Sequence, residues 1–98
     1  MRAYRKTING LHGSWGSGLA TLCFQDGSSV YCDNGATVRA MDAAFGDVIA
    51  EGHCINSEAL AGKEIIVILD DMGMNMLEGF CPVDDWDGPE VPLEGVEL

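Results

Sequence analysis

The chain is poor in positive charge. It has five Lys and Arg residues among 98, and Lys63 is the single base after residue 50. In the first fifty residues Arg2, Arg5, Lys6 and Arg39 balance Asp26, Asp33, Asp42 and Asp47, so the net charge of −11 comes from twelve acids in the second half. Such a field repels phosphate backbones and anionic lipid and attracts basic surfaces. Direct nucleic-acid binding and membrane-surface binding are therefore not expected, and a basic protein is the expected partner. Long apolar runs are also missing. The longest is Ile65–Leu69, far short of the roughly 18 residues of a spanning helix. Arg2, Arg5 and Lys6 have no apolar stretch behind them, so no export signal is read and a cytoplasmic location is expected. Cys23, Cys32, Cys54 and Cys81 are then expected as reduced thiols. No Cys-x-x-Cys pair occurs among them, and no metal or cofactor is expected.

Proline is absent before Pro82, and Pro82, Pro89 and Pro92 lie close together. That shift divides the chain into one small domain over 1–81 and an acidic strap or tail over 82–98. Ninety-eight residues are too few for two cores. Within the domain, Leu19–Phe24 and Val30–Cys32 read as a hairpin turning through Gln25-Asp26-Gly27-Ser28, where Gly tolerates positive φ and Asp bonds its own backbone. Val38, Met41 and Phe45 form an apolar stripe and predict a helix over Ala36–Phe45, capped by Asp33 or Asn34 and stopped by Gly46. Glu64–Leu69 reads as a strand covered on both faces, paired with Met74–Phe80 through a type I turn at Asp70-Asp71-Met72-Gly73. Ala3–Ile8 reads as an edge strand with Tyr4 and Ile8 inward and Arg5 and Lys6 guarding the edge. Ser57–Gly62 reads as one helical turn capped by Ser57, and Val48–Ile55 as extended chain weakened by Gly52. The order predicts a β-rich α+β fold: a five-stranded, mostly antiparallel barrel of OB or SH3-like type, with one helix between strands 3 and 4.

Four glycines fall within Gly10–Gly18. A phosphate-cradling loop needs a helix behind it and a Gly-Lys-Ser/Thr or Gly-x-Gly-x-x-Gly pattern, and none is present. The segment reads either as a binding loop with Trp15 as aromatic anchor or as a wide connection with Trp15 packed over the barrel mouth. His12, Trp15 and His53 could line a small-molecule or metal pocket beside it. A turn on Gly27-Ser28 places Cys23 opposite Cys32, with β-carbons about 4.5–5.5 Å apart. A turn on Asp26-Gly27 sets Cys23 against Val30 instead. His53 and Cys54 are neighbours and point to opposite faces of a strand. The excess negative charge also raises thiol pKa values. Catalysis is not expected.

Asp84, Asp85, Trp86 and Asp87 lie in the Pro-bearing segment, threaded with Val83, Val91, Leu93, Val96 and Leu98. The segment is a solvated tail, a strap on the protein's own body, or a recognition element in which Trp86 fills a pocket ringed by bases. Asp85, Asp87, Gly88 and Glu94 match positions of a calcium loop, but Val83 takes the first ligand position and flanking helices are missing. The Ile65–Phe80 hairpin is apolar on both faces, and surplus apolar surface would suit a homodimer, or helix and tail cover it. The leading expectation is a non-enzymatic acidic module that engages a basic protein through Asp70, Asp71, Asp84, Asp85, Trp86 and Asp87, in one version as a nucleic-acid mimic. The alternative is the small-molecule or metal pocket at the Gly-rich loop.

Overall fold

A computed structural model of the chain describes residues 1–13, 18–51, 54–70 and 75–98. The fold is a small, sheet-dominated α+β structure. Strands β1 (Arg2–His12), β2 (Leu19–Phe24) and β3 (Ser29–Asp33) precede helix α1 (Ala36–Phe45), and β4 (Glu64–Leu69), β5 (Leu77–Pro82) and β6 (Val96–Glu97) follow it. Every strand pair is antiparallel, in the order β3-β2-β1-β4-β5, with β6 added to β1. No helix among the described residues is long and apolar enough to cross a membrane.

The sheet does not close into a continuous barrel. Among the described residues, β3 meets the chain entering β5 through a parallel bridge between Tyr31 and Met76, where the Tyr31 N–H donates to the Asn75 carbonyl at 2.8 Å. The described residues form six strands, not five, because the C-terminal segment contributes β6. The expected edge strand Ala3–Ile8 is the long central strand. One half of β1 pairs with β4 from Arg2 to Thr7, and the other pairs with β2 from Ile8 to His12. It bulges between Ile8 and Gly10, which lets it serve both partners. Glycines hid the second half of this strand. Gly10 is buried, and the site requires glycine because a β-carbon there would lie 2.8 Å from Ser57 Oγ, an oxygen that accepts the Leu11 N–H at 2.8 Å. Ser57 therefore ties a 3-10 turn (Ser57–Ala59) to β1 and makes no capping bond.

The first hairpin turns through a three-residue loop. The Gly27 N–H donates to Phe24 O at 3.1 Å and the Phe24 N–H to Ser28 O at 2.9 Å, with Gly27 at φ 90°. This is a type I turn closed by a left-handed glycine. It pairs Cys23 with Ser29 and Cys32 with Ala20, so neither anticipated register occurs and the two cysteines are not opposite. Helix α1 covers the residues expected. Asp33 Oδ2 accepts the Gly35 and Ala36 N–H groups at 3.1 and 2.6 Å, and Gly46 ends the helix at φ 79°. Its stripe buries Val38 and Met41 and stacks Phe45 on Phe80, ring centroids 6.5 Å apart. Strand β4 also matches, whereas its partner begins at Leu77 and runs to Pro82. The expected turn at 70–73 lies largely outside the described residues, as does Met74. Of Val48–Ile55, a single bridge, Ile49 to Ile55, is extended pairing.

One core holds Ile8, Leu11, Leu22, Phe24, Val38, Met41, Leu60, Ile65 and Val67. Ala3 and Ile66 lie outside that cluster yet are 0% and 2% exposed. Register sets both opposite the Tyr4–Val67 row, on the other face of the sheet. The chain after Pro82 leaves β5 beside Ile65 and returns to pair Val96 with Ala3 and Glu97 with Arg2. Ile65, Ile66 and Val67 are buried within a single chain, and Ile68 and Leu69 are half-buried.

Candidate functional site

Two regions carry chemistry. The first is an acidic turn where β5 gives way to the C-terminal strap. Pro82 at φ −53° opens a 3-10 turn (Val83–Asp85), and the Trp86 N–H closes it on Val83 O at 3.2 Å. Asp84, Asp85 and Asp87 are exposed and Trp86 is half-buried. The indole Nε1–H donates to Pro89 O at 2.9 Å, and the ring folds over Gly88, where a β-carbon would overlap it. Trp86 is thereby fixed by its own backbone. Among the described residues, Asp84, Asp85 and Asp87 have no hydrogen bond or ion pair. Arg2, Arg5 and Lys6 are engaged elsewhere. Arg5 meets Glu64 at 2.6 Å, Lys6 meets Asp26 at 2.6 Å, and Arg2 lies 3.9 Å from Glu97. The field of the turn is felt next door: partial burial, then Asp85 and Asp87, push the Cys81 thiol to higher pKa.

The residues read as one acidic surface are divided. Asp70 follows β4 at the Leu69–Leu77 end of the hairpin, and Asp84 follows β5 at the Ile65–Pro82 end. A six-residue strand separates them by about 20 Å. Asp71 lies outside the described residues, as do Trp15 and His53. His12 ends β1, exposed, in a cross-strand row with Thr21 and Tyr31. Asp85 belongs to the 3-10 turn, Asp87 to the irregular chain after it, and Glu94 to a turn that the Gly95 N–H closes on Pro92 O at 3.0 Å. Among the described residues no three His, Cys, Asp or Glu side chains gather to hold a metal. All four cysteines are free thiols. Burial and the neighbouring Asp33 carboxylate push Cys32 up to about 11, the reverse of what a nucleophile needs.

The second region was not foreseen. Where β3 and β5 diverge, beside the β2–β3 turn, a cavity of about 400 Å³ opens, lined by residues including Tyr4, Lys6, Phe24, Val30, Val67 and Asn75. Lys6 lies across it. Its Nζ donates to Asp26 Oδ2 at 2.6 Å and to Ser28 Oγ at 3.1 Å, and sits 5.7 Å from the ring centroids of both Tyr4 and Phe24. The sequence did hold the signal. Tyr4, Lys6 and Ile8 alternate on one face, so the parity that turned Tyr4 and Ile8 inward turns Lys6 inward with them. No family model, curated protein or solved structure matches this chain.

Proposed function

We propose that the protein is a non-enzymatic binding module whose acidic turn, Asp84–Asp87, docks a basic protein surface. The observation that carries this reading is the set of three exposed carboxylates, without partners among the described residues, flanking a fixed, half-buried Trp86. Docked lysine or arginine heads would meet the carboxylates while the indole gives an apolar, preorganised centre. The separation of Asp70 from the turn favours a compact acidic contact over an extended imitation of a phosphate backbone. The raised thiol pKa values at Cys32 and Cys81 support a role without nucleophilic catalysis, and the free thiols support a reducing, cytoplasmic setting. For the scaffold, we read the sheet as an OB-type barrel. A long β1 shared by β2 and β4, a helix between β3 and β4, and the Tyr31–Met76 bridge support that reading.

The test is binding of an oligolysine peptide to the whole chain across a salt series. We expect a steep loss of affinity with salt. Replacing Asp84, Asp85 and Asp87 together by Asn should weaken binding at least about tenfold. Replacing Asp47, Glu51 and Glu58 by their amides, an equal change of charge, should weaken it far less. Equal effects of the two triple variants, or binding indifferent to salt, would remove the proposal.

A further inference from the structure

We propose that the open end of the sheet binds a small, uncharged aromatic molecule bearing a carbonyl acceptor. This inference stands apart from the acidic turn. Helix α1 follows Asp33 and covers one end of the sheet, where Phe45 stacks on Phe80. The cavity lies at the other end, beside Ser28 and Asn75. Among the described residues the sheet there has neither a helix over it nor a continuous β3–β5 ladder, and mouths of small β-structures are common ligand sites. Its volume of about 400 Å³ falls within the range of small-molecule pockets. Half-buried Tyr4 and Leu69 give it accessible apolar walls, over a floor of buried Phe24, Val30 and Val67.

The head group follows from Lys6, the one charged residue among the described residues lining the cavity. An ammonium has three N–H donors, and two are spent on Asp26 and Ser28. The third is left for a ligand acceptor. A carboxylate is disfavoured there, because Asp26 already neutralises Lys6 and the chain carries a net charge of −11. An ammonium is disfavoured because Lys6 already occupies the space near both rings. A neutral carbonyl fits the remaining donor, and a flat apolar body fits the floor.

The experiment titrates the intact chain with benzamide, benzoate and benzylamine while two-dimensional NMR follows the methyl groups of Val30, Val67 and Leu69. Benzamide should shift these methyls saturably, with benzoate and benzylamine at least about tenfold weaker. Lys6→Met should weaken benzamide binding about tenfold by removing a charged donor. Leu69→Phe, which narrows the cavity and leaves Lys6 in place, should abolish the shifts in a variant that melts cooperatively. Shifts that fail to saturate or fall elsewhere would overturn the proposal. So would benzoate or benzylamine binding as tightly as benzamide, or unchanged benzamide binding in either variant.

Discussion

Gly95→Ala should detach the C-terminal strap from β1, and its cost can be worked from two separate effects. Gly95 has φ 85°, and placing a side chain in left-handed backbone costs about 1–2 kcal/mol. The added β-carbon would also lie 2.5 Å from Tyr4 Cε1, 2.6 Å from Cδ1 and 3.0 Å from the Ala3 carbonyl. The Tyr4 ring cannot yield freely, because its hydroxyl accepts the Arg2 Nε–H at 3.3 Å and Lys6 Nζ stands 5.7 Å from its centroid. Overpacking of this kind adds about 1–3 kcal/mol. The expected loss is therefore about 2–5 kcal/mol, a large share of the stability of a domain this size. Gly27→Ala isolates the backbone term, since Gly27 has φ 90° and nothing within 4 Å of its virtual β-carbon; it should cost about 1–2 kcal/mol. Urea denaturation of both variants measures the difference, and hydrogen exchange locates it. In Gly95→Ala the amides of β6 and of Leu98, which donates to Met1 O at 3.0 Å, should lose protection before those of β4. Equal costs for the two variants, or full protection at β6, would refute the claim that the strap is held through Tyr4.

Asp26 gives a pH prediction. Hydrogen bonds from Lys6, then from Ser28, hold its carboxyl well below the usual value of 3.8. The unfolded chain thus binds the extra proton first, so the stabilisation is present at neutral pH and fades as pH falls below about 4. The stability gap between wild type and Asp26→Asn should shrink on acidification and in high salt, since the pair is half exposed; a gap constant from pH 7 to 2 would contradict this. Among the thiols, exposed Cys54 should be alkylated first at pH 8, and Cys32, buried and raised to about 11, should react only on unfolding; mass spectrometry after brief labelling decides it. Leu60, fully buried beside the 3-10 turn, should cost about 2–5 kcal/mol when cut to Ala, read as a lower urea midpoint.

Much of the local structure was legible because its causes are local. The helix stripe at Val38, Met41 and Phe45, its Asp33 cap and Gly46 stop, and the β-branched run of β4 each follow from neighbours within one or two turns of chain. The Gly27 turn was legible as a turn but not in register, since several loop lengths use the same residues. Two departures from the local pattern share one cause. The pattern reads Arg5 and Lys6 as guards of an exposed edge and Gly10–His12 as part of a loop, yet Arg5 pairs with Glu64, Lys6 with Asp26, and Gly10 admits Ser57. In each case a partner between 20 and 59 residues away gives the residue its role, and no short-range pattern encodes that partner.

Composition and order alone determined that the chain is acidic and sheet-rich, with a helix over Ala36–Phe45. Tertiary structure alone decided that β1 is central, that Asp70 and Asp84 fall at opposite ends of a hairpin, that Val96 pairs with Ala3, and that a cavity opens beside Lys6. The division has a physical basis. Charge, turn preference and apolar periodicity are properties of adjacent residues, whereas strand neighbours, buried faces and cavities arise only when distant segments compete for the same surface.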